Sequence, residues 1–330
     1  HRQCARQRFV FWNRVGVGLS KPFGISRGQK TAADVLRVEV EKDGVIGRGE
    51  GVPYARYGDT AKLALKQIQS LPAVFDRESL VDLLPRGSAR NAIDCALWDL
   101  EANTLSTSVG SMLGMGELAS LTMGYTVSLA STKDMIADAA EHSHSAIIKI
   151  KLGSEHDRDA LLGIRKAAPN SRLIVDVNEG WDLATLKQML PVLEDTAVEL
   201  LEQPLPSELD GELQNVASSV PLCADESNYP GRSAEELAKN FSVVNFKLDK
   251  SGGLTSALRE IEAAREAGLG IMVGCMVSSS LGIAPAFIAA QSADYSDLDG
   301  FLTVESDELP KMVVKEGMLS MPLGLWGLKS

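Results

Sequence analysis

The sequence predicts an α/β protein in which a closed barrel of parallel strands follows a smaller α+β domain. Short apolar runs recur between residues 121 and 301, and most of their ends lie roughly 22 to 27 residues apart. Helical patterns fill the intervals, which indicates a repeated strand–helix unit and hence a parallel sheet. Eight runs favour closure into a barrel, whose active site lies at the carboxyl ends of the strands.

The barrel elements follow one another without a long linker. The first strand is predicted at 121–127, and the later runs end at Lys151, Asp176, Glu202, Asp225, Lys247, Gly274 and Asp297. Helical patterns cover 157–168, 183–193, 234–239 and 255–267.

Residues before about 115 show a different organisation. Alternating apolar residues at 34–41, the turn Lys42-Asp43-Gly44 and a return at 45–50 predict an antiparallel hairpin, and 9–12 predict an earlier strand. Helices are predicted at 60–71, 77–84 and 88–103, the last with Ser88 as its N-cap. We therefore expect three parts: an α+β domain at 1–115, the barrel at 116–301, and a C-terminal segment at 302–330 that packs back on the first domain.

The composition restricts the class of partner. At 330 residues, with 45% apolar and 23% charged residues, the chain can form a large core. Its formal net charge of −11 argues against nucleic acids and anionic membranes, since both require basic patches. An anionic small substrate is still compatible, because local lysines and a metal ion can outweigh the global charge.

The cysteines and the hydropathy indicate a cytoplasmic protein. The four cysteines (Cys4, Cys95, Cys223 and Cys275) are scattered, which is typical of a reduced compartment. No apolar run approaches about 18 residues, so no membrane span is expected. The sequence leaves the oligomeric state open and is compatible with a homo-oligomer.

Charged side chains end several of the predicted strands, which buried parallel strands do not ordinarily show. Lys149 and Lys151 lie two residues apart and face the same way. Asp176, Glu202 and Asp225 end the next three strands. Three converging carboxylates suit a hard cation that keeps positions open for water and substrate. The sequence therefore predicts one Mg²⁺ per subunit at these three residues.

Two lysines are predicted to flank this ion. Lys151 and Lys247 end strands two and six, which lie opposite each other in a ring of eight. A lysine serves as a base when its pKa falls from about 10.4 towards roughly 7–8, and a nearby cation pushes it that way. One lysine on each face permits removal of a proton next to a carboxylate and its return on the other side. The pattern predicts an epimerase or racemase.

The motifs that carry these residues resemble the enolase superfamily, in its muconate-cycloisomerase-like branch. They are Ile148-Lys149-Ile150-Lys151, Asp176-Val177-Asn178, Leu201-Glu202-Gln203-Pro204, Ala224-Asp225-Glu226-Ser227 and Lys247-Leu248-Asp249-Lys250-Ser251-Gly252-Gly253. The resemblance implies a modified TIM barrel of the (β/α)7β type and an α+β capping domain with lid loops near 22–23 and 54–58. It also implies Mg²⁺, a metal-stabilised enolate, and Lys151 and Lys247 as the acid–base pair.

Strand eight carries a further motif, Asp297-Leu298-Asp299-Gly300, which resembles the dipeptide epimerases within that branch. Strand eight lies across the mouth from strand four and therefore from the metal. A substrate whose carboxylate is held at the metal would present its ammonium group to Asp297 and Asp299. The resemblance implies a dipeptide substrate, most closely L-Ala-D/L-Glu in murein-peptide recycling.

The resemblance also implies roles for residues around the substrate. Lys149 would neutralise the substrate carboxylate, and Thr126 would contact the peptide. Arg27 or Lys30 in the lid would bind the glutamate side chain.

Two residues are predicted to orient the metal ligands and the lysines without contacting the substrate. Asn178 follows the metal ligand Asp176, and Asp249 follows Lys247. Asp249 is expected either to orient a catalytic lysine or to form a simple ion pair, with Lys250 as its structural partner.

Two other functions are compatible with parts of the pattern. An o-succinylbenzoate synthase or muconate cycloisomerase would use the same lysines, but its substrates carry no ammonium group for Asp297 and Asp299. A catalytically silent barrel that binds a metal or a peptide would not need two opposed lysines.

Overall fold

The computed structural model describes residues 8–25, 28–229, 232–305, 307 and 310–327. The chain begins with a three-stranded antiparallel sheet of β1 (Arg8–Ile25), β2 (Gly28–Lys42) and β3 (Val45–Gly51), in that order. Four helices follow: α1 (Ala61–Gln69), α2 (Arg77–Leu83), α3 (Ser88–Leu105) and α4 (Val109–Met112). The three predicted helices are confirmed to within about two residues at each end. The predicted hairpin is also confirmed, although its first strand begins at Gly28, six residues before the predicted start.

Helix α3 packs directly on strand β3, because the facing side of that strand carries no side chains. Glycine occupies every second position of the strand, at Gly47, Gly49 and Gly51, so all three lie on one face. A Cβ atom added at any of them would lie less than 3.0 Å from a helix carbonyl oxygen, that of Ala96, Ala92 and Ser88 respectively. The close approach of helix and strand therefore requires glycine.

The N-terminus of α3 differs from the prediction that Ser88 caps it. Ser88 is the first helical residue, and Gly87 occupies the N-cap position with φ 138°. Asp59, from the loop before α1, accepts hydrogen bonds from the Ser88 backbone N at 2.7 Å and from its Oγ at 3.0 Å. A carboxylate distant in sequence therefore caps the helix, and local sequence patterns do not reveal such a partner.

Eight parallel strands form the predicted barrel sheet, and they pair in sequence order. A short strand, β4 (Leu121–Thr122), comes before the barrel and belongs to another sheet. The eight barrel strands are β5 (Gly124–Val127), β6 (Ile147–Lys151), β7 (Arg172–Asp176), β8 (Val198–Glu202), β9 (Leu222–Ala224), β10 (Val243–Lys247), β11 (Gly270–Gly274) and β12 (Tyr295–Asp297). At the seam between β12 and the start of β5, Ser296 Oγ donates to the Thr122 carbonyl at 2.7 Å.

Helices return the chain between the barrel strands. They are α5 (Thr132–Glu141), α6 (Asp157–Ala167), α7 (Leu183–Asp195), α8 (Ala234–Leu237), α9 (Leu248–Ser251), α10 (Leu254–Glu266) and α11 (Ser280–Ala289). Between β8 and β9 the return is a 3₁₀ segment, Ser207–Asn215. Within the described ranges, no helix has both the length and the apolar character needed to cross a bilayer.

The prediction of one continuous strand at 121–127 was wrong. The backbone N of Met123 donates to the Gly317 carbonyl at 2.9 Å and so leaves the barrel sheet. The two residues before it form β4, which pairs antiparallel with β14 (Met318–Ser320) of a C-terminal hairpin, after β13 (Val313–Lys315). Only Gly124–Val127 belongs to the barrel.

The barrel interior is layered. Its floor is an apolar cluster formed by Ile147, Ile174, Leu200, Cys223, Val243 and Met272, with Tyr295 against it. Side chains two residues apart on a strand share a face, so the next inward position lies two residues after each floor residue. That position holds a polar or charged group on all of these strands except β11, where it is Gly274. Five of these strands thus position a charge directly above the packed floor, at the carboxyl end of the barrel, and β10 positions the amide of Asn245 there.

The C-terminal segment contacts the N-terminal domain. Trp326 is buried, and its Nε1 donates to the carbonyl oxygens of Arg48 at 2.9 Å and Cys95 at 3.1 Å. The backbone N of Gly327 donates to Asp99 at 2.7 Å. These bonds hold the end of the described chain against β3 and α3.

Replacement of Gly49 by alanine is expected to destabilise the protein, because the new Cβ would overlap the backbone of α3. Overpacking of this kind costs about 1–3 kcal/mol, and a clash with backbone lies at the upper end. Urea denaturation would measure the change in the free energy of unfolding. The matched control is Gly116→Ala, where an added Cβ meets no atom within 4 Å; equal stability of the two variants would contradict the packing argument.

Candidate active site

Three carboxylates converge at the carboxyl ends of three neighbouring strands, as predicted. Asp176 ends β7, Glu202 ends β8, and Asp225 directly follows β9. All three side chains are buried, and one oxygen from each lies within 4.8 Å of the others. Buried carboxylate oxygens in this arrangement fit a hard divalent cation, which would offset their mutual repulsion.

Burial and neighbouring charges affect the three carboxyl groups unequally. Burial, reinforced by Asp176, raises the pKa of Glu202 to about 7. Burial also acts to raise the pKa of Asp225, but the ammonium groups of Lys247 and Lys250 outweigh it and hold that pKa well below its ordinary value. Glu202 is therefore the ligand whose charged form depends most on a cation.

The two predicted catalytic lysines lie on opposite sides of the mouth. Lys151 ends β6 and Lys247 ends β10, four strands apart in the ring of eight. Lys151 Nζ donates to Asp176 Oδ2 at 2.6 Å, and Lys247 Nζ donates to Asp225 Oδ2 at 2.8 Å. Each lysine thus contacts a different carboxylate of the cluster, and the carboxylates lie between them.

The protein's own charges raise the pKa of Lys247. Burial acts to lower it, but the carboxylates of Asp225 and Glu202 outweigh burial and hold the pKa well above its ordinary value. A divalent cation bound to the same carboxylates would act in the opposite direction. The basicity of this lysine is therefore tied to occupancy of the carboxylate cluster.

Lys149 lies among three carboxylates at the centre of the mouth. Its Nζ lies 2.6 Å from Asp297 Oδ2, 2.7 Å from Glu202 Oε2 and 3.0 Å from Asp176 Oδ2. Burial acts to lower the pKa of Lys149, but these three carboxylates outweigh burial and hold it well above its ordinary value. The ammonium group thus connects the metal-ligand cluster to strand β12. Its predicted contact with the substrate carboxylate stays a prediction.

The two aspartates of the strand-eight motif face the mouth with different partners. Asp297 is held by Lys149, whereas Asp299 Oδ2 accepts a hydrogen bond from the backbone N of Thr126 at 2.9 Å. Burial, followed by the charge of Asp297, raises the pKa of Asp299 to about 6. Thr126, predicted to contact the peptide, therefore also positions Asp299. The predicted lid residue Arg27 and the side chain of Lys30 lie outside the described part of the chain.

Asn178 supports both the metal cluster and Lys151. Its Oδ1 accepts from Lys151 Nζ at 3.1 Å, and its backbone N donates to Asp176 Oδ1 at 3.0 Å. The residue has φ 48°, a left-handed conformation that asparagine tolerates better than most side chains. The bend after β7 thus returns the side chain onto the lysine.

Asp249 has neither of the partners predicted for it. Its Oδ1 accepts hydrogen bonds from the backbone N of Val52 and from Asn91 Nδ2, both at 2.8 Å. Burial raises its pKa to about 7. Lys250 instead donates to Asp225, to Oδ1 at 2.6 Å and to the backbone carbonyl. The reason is the turn of α9 after β10, which directs the two consecutive side chains to different domains.

Two residues that the sequence analysis missed position the metal ligands. Asn245 Nδ2 donates to Glu202 Oε1 at 2.7 Å, and Gln203 Oε1 accepts from the backbone N of Asp225 at 3.0 Å. Asn245 lies two residues before Lys247, so its inward orientation could have been read from the strand period. Gln203 lies in a bend with φ 37°, which no sequence pattern indicated.

The lid segment near residue 56 is attached to the mouth at two points. Arg56 forms an ion pair with Glu179, in the loop after β7. The rings of Tyr57 and Tyr229 lie 4.1 Å apart between centroids. These contacts hold the segment over the side of the barrel that carries the three carboxylates.

Comparison with known families matches nearly the whole chain. Residues 8–114 match the mandelate racemase / muconate lactonizing enzyme N-terminal domain, and residues 132–324 match the enolase C-terminal domain-like family. The interval between the two matches, residues 115–131, follows α4 and includes β5, the first strand of the barrel.

Relatives and solved structures agree with this assignment. The chain is 36% identical over 310 residues to the L-Ala-D/L-Glu epimerase of Escherichia coli K12, covering 92% of this chain and 96% of the relative. It is 39% identical over 289 residues to an N-acetyl-D-glutamate racemase of a Pseudoalteromonas species, covering 85% and 91%.

A crystal structure from Agrobacterium tumefaciens gives the corresponding structural match. That protein is an enolase family member with homology to dipeptide epimerases, with bound sodium and L-Ala-L-Glu, and it aligns with a TM-score of 0.92 at 36% identity, covering 98% of this chain and 99% of that one. The chain therefore belongs to the enolase superfamily, in the family of mandelate racemase and muconate lactonizing enzyme.

Proposed function

We propose that this protein is a Mg²⁺-dependent dipeptide epimerase that inverts the α-carbon of the second residue, with L-Ala-D/L-Glu as substrate. The observation that carries the proposal is the placement of Lys151 and Lys247 on opposite walls, each bonded to a carboxylate of one cluster. The relatives named for dipeptide epimerisation and the bound L-Ala-L-Glu of the Agrobacterium structure support the substrate class.

Asp176, Glu202 and Asp225 would hold the Mg²⁺ ion, which stabilises negative charge developing on the substrate carboxylate. One lysine, in its neutral form, takes the α-proton from one face. The other, as ammonium, delivers a proton to the opposite face, so the configuration inverts and the two lysines exchange protonation states. Reaction in the other direction uses the same groups in reversed roles.

The ammonium group of the substrate would bind at strand β12. Lys149 lies 2.6 Å from Asp297 and neutralises much of its charge, whereas Asp299 contacts a backbone amide. Asp299 is therefore the main ammonium contact in this proposal, and Asp297 serves chiefly to hold Lys149. Arg27 or Lys30 is proposed for the glutamate side chain, since Arg56 of the second lid loop is paired with Glu179.

A second candidate function is racemisation of an N-acylated amino acid. Two observations favour it. The relative named N-acetyl-D-glutamate racemase is 39% identical to this chain. Asp297 is already paired with Lys149, so its charge is not left for a substrate ammonium group. An N-acetyl group carries no positive charge, so such a substrate would not use Asp299. The substrates of the elimination or cycloisomerisation alternative also carry no ammonium group. A catalytically silent binding barrel would not require two lysines on opposite walls.

We also propose that the protein acts in the cytoplasm, in the recycling of murein peptides. The described cysteines, Cys95, Cys223 and Cys275, are free thiols, which is compatible with a reducing compartment. Cell fractionation with an antibody against the natural protein tests the location.

Removal of either lysine should separate the two half-reactions. Lys151→Ala and Lys247→Ala are each expected to lower the epimerisation rate by about 10²–10⁴-fold, the contribution of a positioned acid or base. In D₂O each variant should still exchange the α-proton of one Ala-Glu epimer, and the two variants should prefer opposite epimers. Proton NMR of the glutamate α-position measures both effects.

The matched control for these variants is Lys250→Ala, which also loses an ammonium group bonded to Asp225. It should affect the exchange of both epimers to the same extent, because Lys151 and Lys247 both remain. The same epimer preference in both lysine variants would contradict the two-sided mechanism.

Asn245→Ala should weaken Mg²⁺ binding, because Glu202 loses the hydrogen bond that orients it. Loss of such a supporting partner typically lowers metal affinity by about 10–100-fold. Titration calorimetry with Mg²⁺ measures the change without reference to activity, and Gln188→Ala, at an exposed position, is the control. Unchanged affinity would show that Asn245 does not position Glu202.

Asp299→Asn distinguishes the two candidate functions. For an ammonium-bearing dipeptide, loss of a charge-assisted contact costs about 1.5–3 kcal/mol, or roughly 10–150-fold in kcat/KM. For N-acetylglutamate the same substitution should change kcat/KM little. Parallel assays of L-Ala-L-Glu and N-acetyl-L-glutamate with the wild type and the variant decide between the two.

A further inference from the structure

A pocket of about 380 Å³ lies at the mouth, beside the proposed ammonium site. Asp299 and Thr126 form one part of its wall. The loop after β5, the first turns of α5 and the segment after β12 form the rest. Its volume falls in the range of about 300–1,000 Å³ that is usual for small-molecule sites. The pocket therefore adjoins the proposed ammonium site, and Asp176, Glu202 and Asp225 are not among the residues that line it.

The position of the pocket relates it to the first residue of a dipeptide. The ammonium group and the side chain of an N-terminal residue are attached to the same carbon atom. When that ammonium group contacts Asp299, the side chain therefore begins within roughly 4–5 Å of this carboxylate. Asp299 itself lines the pocket, so the pocket lies within reach of that side chain. A methyl group, as in alanine, would leave most of the volume to water.

The lining combines apolar walls with negative charge. Leu129, Met135, Val277 and Leu302 supply the apolar part of the wall. Among the described lining residues, Asp134, Asp138 and Asp299 are acidic and none is basic. A side chain with an apolar stem and a cationic end matches both features, because the stem packs on the wall while the charge reaches the carboxylates.

The two outer carboxylates are held in place. The hydroxyl of Tyr125 donates to Asp138 Oδ1 at 2.9 Å, and the Tyr125 ring stacks on His142 with centroids 3.6 Å apart. The Oγ of Ser131 donates to Asp134 Oδ2 at 2.6 Å. Both acids thus present oxygens at fixed positions on the first two turns of α5.

We infer that this pocket is the subsite for the first residue of the dipeptide, and that it selects a long side chain with a cationic end, such as lysine or arginine, over alanine. The inference rests on the proposed function and refines its substrate. It makes L-Ala-Glu an accepted substrate and a basic residue followed by glutamate a better one.

A series of dipeptides tests the inference, with L-Ala, L-norleucine, L-Lys or L-Glu before L-Glu. Deuterium exchange at the second α-carbon gives kcat/KM for each. We expect L-Lys-L-Glu to exceed L-Ala-L-Glu at least about fivefold, norleucine to lie between them, and L-Glu-L-Glu to fall below alanine, because contacts with the stem and the charge both contribute. The double variant Asp134→Asn/Asp138→Asn should bring lysine down to the level of norleucine.

A filling variant separates the pocket from the rest of the site. Leu302 is exposed at the pocket wall, so Leu302→Trp should fold and should reduce kcat/KM for the long side chains by a larger factor than for L-Ala-L-Glu. A steady fall in kcat/KM with side-chain length in the wild type, or an equal effect of Leu302→Trp on all substrates, overturns the subsite alone. Absence of exchange with every dipeptide overturns the proposed function and the subsite together.

Discussion

The whole arrangement depends on the concentration of like charge at one buried point. Asp176, Glu202 and Asp225 bring three carboxylates together above an apolar floor, where water cannot screen them. The barrel offsets this with ammonium groups on β6, β10 and the following helix α9. Each of them contacts at least one member of the cluster: Lys149, Lys151, Lys247 and Lys250. The lysines are therefore structural counter-charges as well as candidate acids and bases.

The barrel geometry makes this balance of carboxylate and ammonium charges possible. In a ring of parallel strands, inward side chains at corresponding positions meet at one height. Charges separated by more than 20 residues in sequence thus come within hydrogen-bond distance, as for Lys151 and Asp176. A cation that joins the cluster competes with the lysines for the same oxygens, so metal occupancy and lysine basicity are linked by geometry.

Much of the fold and of the central site could be predicted from sequence, because period and spacing determine them. The two-residue period places Lys149 and Lys151 on one face, and the strand–helix repeat brings Asp176, Glu202 and Asp225 to one edge. What could not be predicted depends on partners from distant parts of the chain. Asp59 caps α3, the C-terminal hairpin removes Leu121 and its neighbour from the barrel, and the first domain rather than a lysine pairs with Asp249.

The hydrogen bonds of Asp249 have a consequence for how such proteins diversify. This carboxyl group lies two residues after Lys247, yet both of its described partners, Val52 and Asn91, belong to the N-terminal domain. A chimera that joined this barrel to the cap of a relative without matching donors would leave a polar group stranded inside the molecule. Recombination between family members is thus constrained at a residue that touches no substrate, and the two domains must evolve as a matched pair.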